Sequence, residues 1–277
     1  MKILVTGSNG YLGRGIVNKL LEDNIEVIAT DFVALEDSIK CKYIRADLFD
    51  IADPYEYFDR PDVVLHLAWR NGFVHNASSH IEDLPKHVRF IDKMAQKGVS
   101  RIAVMGSMHE VGFYEGSIDE NTVCHPMSYY GIAKDALRNV TSLICKNNNV
   151  TFQWLRGFYI VGTSKNGSSI FAKLIQASDE GKKTFPFTMG QNQFDFINYE
   201  DFCLQVAATV EQNEINGIIN ICEGKPEKLA ERVERFIVEN KLNISLQYGS
   251  FPDRPYDSKA IWGNDSKVKK ILANRVI

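Results

Sequence analysis

"VTGSNGYLG", Val5 to Gly13, sets Gly7, Gly10 and Gly13 three residues apart. The apolar run "KILV" leads into it, and Leu12, Ile16, Leu20 and Leu21 follow at the spacing of one helix face. A strand that passes through a glycine turn into a helix is the context of a dinucleotide-binding loop. One glycine makes the tight turn, one lets backbone amides approach a pyrophosphate, and one lets the helix pack on the strand. The positive end of the helix then faces the phosphates. Gly7, Asn9, Gly10, Tyr11, Leu12 and Gly13 are the candidate cofactor loop. Asp31 closes the second strand, 18 residues beyond Gly13. A carboxylate there accepts hydrogen bonds from adenosine hydroxyls and repels a 2′-phosphate. NAD is expected over NADP, with Arg14 as the one nearby group that could hold an extra phosphate.

Outward from the loop, strands and helices alternate. "IEVIATD", "KYIRADL", "PDVVLHLAW" and "SRIAVMGS" read as the second to fifth strands, and "VTFQWLRGFYIVG" as a single sixth strand. "IEDLPKHVRFIDKMAQKG" reads as a helix that starts near Pro85 and ends at Gly98. "YYGIAKDALRNVTSLICKNN" is a second long helix. This alternation predicts an α/β fold, a Rossmann doubly wound parallel sheet covered on both faces. After Gly162 the rhythm loosens. "IFAKLIQASDEGKK" reads as a helix, "FPFTMGQNQFDF" as one long extended stretch, and 199–213 and 226–240 as further helices. The expected organisation is an NAD(P)-binding domain over 1–165 and a small substrate lobe over 166–277. Segments such as "GIINIC" are expected to return to the main sheet.

Composition excludes several classes. The 277 residues suit one α/β domain with a small lobe. A net charge of −3 gives no pull toward nucleic acid or anionic membrane. The first apolar run is four residues long, too short for a signal peptide core. No later run approaches the ~18 apolar residues of a membrane span. A soluble, cytoplasmic protein is expected. Cys41, Cys124, Cys145, Cys203 and Cys222 include no C-x-x-C pair, so neither a disulfide framework nor a zinc site is indicated. The six histidines lie between His66 and His125 at spacings that match no metal motif, and no metal is expected.

Strand ends in such a sheet carry ligands. Asp47 and Leu48 lie at the end of the third strand, where they would meet adenine. Leu67 and Ala68 lie at the end of the fourth, at the cofactor edge, with Trp69 as a pocket wall and His66 as a packed histidine. Ser107 closes the fifth strand, and Tyr130 and Lys134 come 23 and 27 residues later on the next helix. A Tyr-x-x-x-Lys pair alone is worth little, since about one is expected by chance in such a chain. Its position after the glycine loop, Asp31 and Ser107 gives it meaning. Hydride transfer to a ketone leaves an alkoxide that needs a proton, and Tyr130 can supply or remove it. A free phenol has a pKa near ~10, so positive charge is needed beside it. Lys134, one helical turn away, provides that charge and can also hold the ribose of the nicotinamide. Ser107 can donate to the developing oxyanion. Tyr129 has Ala133 at the lysine offset and is assigned to pocket shape or helix packing.

These features together resemble the extended short-chain dehydrogenase/reductases of the NAD-dependent epimerase/dehydratase family. The matching stretches are "TGSNGYLG", Asp31, "ADL", "HLAW", Ser107, "YYGIAK", "LRGFYIVG" and "RPYDSKA", spread over nearly the whole chain. The resemblance implies a catalytic Ser107, Tyr130 and Lys134, a nucleotide-sugar substrate, and a homodimer built through the helices around 82–97 and 129–147. Family dehydratases carry an Asp-Glu pair directly after the catalytic serine or threonine. Here those positions are Met108 and His109, which speaks against dehydration. Family epimerases often have Asn-Pro where this chain has Tyr159 and Ile160. An arginine for the diphosphate is replaced by Phe194, whereas Arg254 matches a second phosphate-binding arginine.

"GSMHEVGFYEGSIDEN" is similar to the 4-keto-6-deoxyhexose nucleotide-sugar reductases, in particular those of the dTDP-6-deoxy-L-talose type. The implied activity is NAD(P)-dependent oxidoreduction at C4 of a nucleotide-activated 6-deoxy-sugar. Trp69, Met108, His109, Tyr159 and Arg254 would bind the substrate, and Glu110 would reach the sugar beside His109. A 4-epimerase, a uronate dehydrogenase acting on a free sugar acid, and a non-catalytic dinucleotide-binding regulator are the alternatives.

Overall fold

The glycine loop joins a strand to a helix in the computed structural model, which describes residues 1–34, 40–165, 169–252 and 258–275. Strand β1 (Lys2–Thr6) turns into α1 (Tyr11–Glu22), followed by β2 (Glu26–Asp31), β3 (Lys42–Arg45) and the short α2 (Pro54–Tyr57). The chain continues through β4 (Val63–His66), α3 (Ser79–Ala95), β5 (Arg101–Ser107), a 3-10 turn at Met108–Glu110 and β6 (Gly116–Ile118). Next come α4 (Tyr129–Asn147), β7 (Thr151–Gly157), β8 (Tyr159–Val161), α5 (Ile170–Asp179), β9 (Thr184–Pro186) and β10 (Gln193–Asn198). The last part holds α6 (Tyr199–Glu211), β11 (Gly217–Ile221), β12 (Pro226–Lys228), α7 (Leu229–Glu239), β13 (Ser245–Gln247), β14 (Ala260–Gly263) and α8 (Ser266–Asn274).

Seven strands form one parallel sheet in the order β11-β7-β5-β4-β1-β2-β3. This is the doubly wound Rossmann arrangement expected from the alternating pattern. Strand order reverses between β1 and β4, and the crevice at that switch point is where such sheets bind ligands. One sheet face is covered by α1 and α6, with Ile16, Val17, Leu20, Phe202 and Val206 packed against Ile3, Val5 and Leu65. The other is covered by α3 and α4, with Phe90, Ile91, Met94 and Leu137 packed against Leu4, Val64 and Trp154. Strands buried on both faces need the near-continuous apolar runs that this sequence supplies.

A smaller sheet, β12-β10-β14-β6 with β8 paired to β10, lies beyond the C-terminal ends of the main strands. It packs on α5 and α7 through Phe171, Leu174, Phe187, Phe196, Val233 and Phe236.

Three sequence expectations need correction. The sixth strand is two strands: β7 pairs with β5 and β11, while β8 pairs with β10 in the smaller sheet. Phe158 lies at the break, and its N–H donates to the Ile221 carbonyl. "FPFTMGQNQFDF" likewise splits into β9, paired with β13, and β10. Finally, α3 begins at Ser79, with Pro85 inside it. The turn before Pro85 is held by tertiary contacts. Ser79, His80 and Asp83 are buried, His80 accepts from Trp69, and Asp83 pairs with Arg70. Those contacts offset the missing amide of the proline.

Candidate active site

The cofactor loop is built as its glycines require. Gly7 has φ +68°, and a Cβ there would meet the Ala68 backbone at 2.7 Å. A Cβ on Gly13 would lie 2.3 Å from the Gly7 carbonyl, so only glycine lets α1 start this close to β1. Gly10 is the N-cap of α1 and contributes no side-chain cap, which leaves first-turn N–H groups for a ligand. Asp31 Oδ2 accepts the Asn9 N–H at 3.1 Å, and Oδ1 accepts the Val33 N–H at 3.3 Å. The carboxylate is thus fixed at the crevice with its remaining lone pairs available. Asn9 Oδ1 and Ser8 Oγ are buried and make no hydrogen bond within the protein, as expected of a cradle completed by a ligand. A cleft of about 700 Å³ opens beside the loop, lined by Asn9, Tyr11, Gly162, Asn198 and Tyr199 among others. These residues fit a dinucleotide. Arg14 donates from Nε to the Asn9 carbonyl at 3.1 Å and so braces the loop.

Ser107, Tyr130 and Lys134 converge beyond the ends of β4 and β5. The helix that carries Tyr130 starts with three satisfied amides. Tyr129 N–H donates to Asn76 Oδ1 at 3.2 Å, Tyr130 N–H to the His75 carbonyl at 2.8 Å, and Gly131 N–H to Ser128 Oγ at 3.1 Å. The loop after β4 therefore places Tyr130. Burial pushes the Tyr130 phenol up to about 12, while a hydrogen bond with Ser107 pulls it down and Glu110 adds to the rise. Lys134 Nζ donates to the Met105 carbonyl at 2.8 Å and lies 5.8 Å from the Tyr130 ring centre. Burial lowers the Lys134 ammonium to about 7, against an opposing pull from Glu110. A half-buried phenol and a buried amine with such altered affinities for protons make this the candidate site of proton transfer.

Imidazoles surround this pair. His75 stacks on Tyr130 with ring centres 5.4 Å apart, and His80 meets it edge-on at 5.3 Å. His109 packs on His75 at 4.4 Å and faces Tyr159 at 6.0 Å. Burial, reinforced by His75, lowers His109 to about 4, so it is neutral at physiological pH. Beneath them, His66 bridges Thr6 Oγ1 and His87 Nδ1, each at 2.8 Å, and burial keeps both imidazoles neutral. His66 is the packed histidine expected.

Other candidates fall in different places. Trp69 lies against Tyr130 at 6.1 Å. Tyr159 packs on Phe194 at 4.8 Å, which makes an aromatic wall where the family arginine would stand. Leu67 and Ala68 reach the crevice, and the Ala68 N–H donates to Thr6 Oγ1. Asp47 is exposed and accepts the Phe49 N–H in a local turn, with Leu48 buried behind it. Met108 does not line the pocket, because its side chain is buried with Val111, Ile118 and Phe158. Glu110 does not reach a sugar: it is fully enclosed and paired with Arg156. Tyr129 is 49% exposed. Arg254 lies outside the described residues. Sequence reasoning missed His75, Asn76 and His80, which sit in or after an irregular loop whose approach to α4 has no local signal.

A model of the NAD dependent epimerase/dehydratase family matches residues 3–222. The chain is 38% identical over 269 residues to a dTDP-6-deoxy-L-talose 4-dehydrogenase (NAD(+)) of Aggregatibacter actinomycetemcomitans, covering 95% of this chain and 99% of that protein. It is 25% identical to an uncharacterized UDP-glucose epimerase of Bacillus subtilis, over 98% of this chain and 92% of that one. A solved structure of UDP-glucuronic acid 4-epimerase from Bacillus cereus, in complex with UDP-glucuronic acid and NAD, superposes with a TM-score of 0.82 at 21% identity, covering 100% of this chain and 94% of that one.

Proposed function

The chain belongs to the NAD dependent epimerase/dehydratase family, and from that premise we propose that it is an NAD-dependent oxidoreductase acting at C4 of a nucleotide-activated 6-deoxy-sugar, of the dTDP-6-deoxy-L-talose class. The observation that carries this reading is the full-length 38% identity to a 4-dehydrogenase, joined to a site that holds Ser107, Tyr130 and Lys134 together.

NAD, when bound, would supply the hydride chemistry for C4. The glycine loop and the N-terminus of α1 would hold its pyrophosphate, Asp31 its adenosine ribose, and Lys134 its nicotinamide ribose. Tyr130 takes the O4 proton during oxidation and returns it during reduction. Lys134 favours the phenolate by its charge, and Ser107 donates to the oxygen as negative charge develops on it. His109 and Tyr159 border the sugar without adding charge. The positions after Ser107 speak against dehydration. Met108 cannot act as an acid, and the nearby carboxylate of Glu110 is committed to Arg156.

The smaller sheet with α5 and α7 serves as the sugar-nucleotide lobe, while β11 joins the main sheet and α6 and α8 pack against it. Exposed Ile81, Ile132 and Leu143 on α3 and α4 support a homodimer through those helices. Among the described residues no helix is long and apolar enough to cross a membrane. The five cysteines are all free, which suits the reducing cytoplasm.

Purified protein given dTDP-6-deoxy-L-talose and NAD should form NADH stoichiometrically, and glucuronic acid should give none. Interconversion of 4-epimers with no net NADH, the reading favoured by the epimerase relatives, would replace this assignment.

A further inference from the structure

The Lys134 ammonium has two partners besides Tyr130. It donates to the Met105 carbonyl at 2.8 Å, and it sits 3.8 Å from the centre of the Trp69 ring. Such proximity to an indole face attracts a cation, most strongly where water is absent. Lys134 is only 4% exposed. The indole itself is immobilised. Its Nε1–H donates to His80 Nδ1 at 3.0 Å, and His80 Nε2 then reaches the Val74 carbonyl at 3.0 Å, which fixes His80 as the neutral Nε2–H tautomer. His87 stacks on the ring at 4.5 Å with a 16° interplanar angle. His87 is in turn bonded to His66, and His66 to Thr6 at the mouth of the glycine loop.

We propose that Trp69 is a positioning residue: its clamped indole face holds the Lys134 ammonium charged and in place beside Tyr130 before cofactor or substrate arrives. This rests on the reading of Tyr130 and Lys134 as the proton-transfer pair. The groups around the ammonium make such a device necessary. Tyr130 on its own helix is neutral, as are His66 on β4 and His87 on α3. The nearby negative charge, Glu110, is already paired with Arg156. Without further help, a buried amine in these surroundings sheds its proton. A Trp69 that merely lined the pocket would need neither the His80 bond nor contact with the lysine.

The test follows Lys134 directly in protein free of cofactor and substrate. Lysine labelled with 13C at Cε gives one signal per side chain, and Lys134→Arg identifies the relevant one. Its pH titration is compared in the native protein, Trp69→Phe and Trp69→Leu, with circular dichroism reporting the fold. The leucine variant should raise the acid dissociation constant of Lys134 about tenfold or more, one pKa unit. The phenylalanine variant should fall between, because phenylalanine is the weaker ring. The oxidative pH profile of kcat/KM should move to higher pH in the same order. Unchanged titration of Lys134 in both folded variants would overturn the proposal. Should Trp69→Leu not fold, an unchanged titration in Trp69→Phe overturns it alone. A shifted titration without turnover of any nucleotide sugar supports the clamp and removes only the assigned reaction.

Discussion

Arg156 Nε donates to Glu110 Oε1 at 2.8 Å, and neither side chain has any exposed surface. The same carboxylate accepts Trp154 Nε1 at 2.9 Å and the Ser107 N–H at 3.3 Å. The pair therefore fixes the turn that presents Ser107. Removing one partner of a buried pair strands the other charge and costs about 3–5 kcal/mol. Glu110→Ala should lose stability of that order in urea unfolding. Glu110→Gln should lose less, because it keeps an acceptor for the indole and the Ser107 amide. An alanine variant within about 1 kcal/mol of the native protein would mean the pair is not structural.

Tyr130 and Ser107 act on the same oxygen in the assigned chemistry. Tyr130→Phe removes the transferable proton and should lower kcat by about 10²–10⁴. Ser107→Ala removes one donor to the oxyanion and should lower it by about 10²–10³. NAD affinity, measured by calorimetry, should hold in both variants. Retention of more than about a tenth of native kcat by Tyr130→Phe would remove tyrosine from the proton path.

Much of this site is local in sequence, and that is why it could be read. The glycine loop, Asp31 and the Tyr130–Lys134 offset each lie within one strand–turn–helix unit, where spacing fixes direction. The misreadings are all non-local. Glu110 reads as a sugar contact beside His109 until Arg156, 46 residues away, is folded against it. "VTFQWLRGFYIVG" is rich in strand-forming residues throughout, so nothing within it reveals that Gly157 and Tyr159 join different sheets. Pro85 signals a helix start by its chemistry, and only the contacts of His80 and Asp83 carry the helix further back. Strands β6, β9, β12 and β13 have three residues each, and pairing rather than pattern defines them.

Asp31 is held by two backbone amides at the position proposed for the adenosine ribose. A hydrogen bond to a charged group is worth about 1.5–3 kcal/mol. Asp31→Asn should weaken NAD binding by about 10–100-fold and narrow the preference over NADP, since the charge that repels a 2′-phosphate is gone. Titrations with both dinucleotides measure this. Equal loss for NAD and NADP would show that Asp31 supports the loop without selecting the cofactor.

Lys134 should make the protein less stable than it could be, in a pH-dependent way. Its ammonium titrates near 7 in the folded state, against 10.5 for the ordinary side chain. Between those values the unfolded chain binds the extra proton, so this group's contribution to stability rises with pH. Below the folded value the native protein carries the whole cost of a buried charge, and above the unfolded value it carries none. Methionine has a similar shape and no charge, so Lys134→Met removes that cost. The separation of the two values caps the gain at about 5 kcal/mol, and loss of the Met105 bond and the Trp69 contact returns part of it. A net gain on the order of 2 kcal/mol is expected near about pH 6, fading toward about pH 10 while activity is abolished. Tyr130 acts in the opposite sense only above the ordinary phenol range, since its folded value is raised to about 12. Urea unfolding of the two proteins across this range decides the point. A Lys134→Met variant whose stability difference from the native protein does not change with pH would show that Lys134 is not a strained, charged residue.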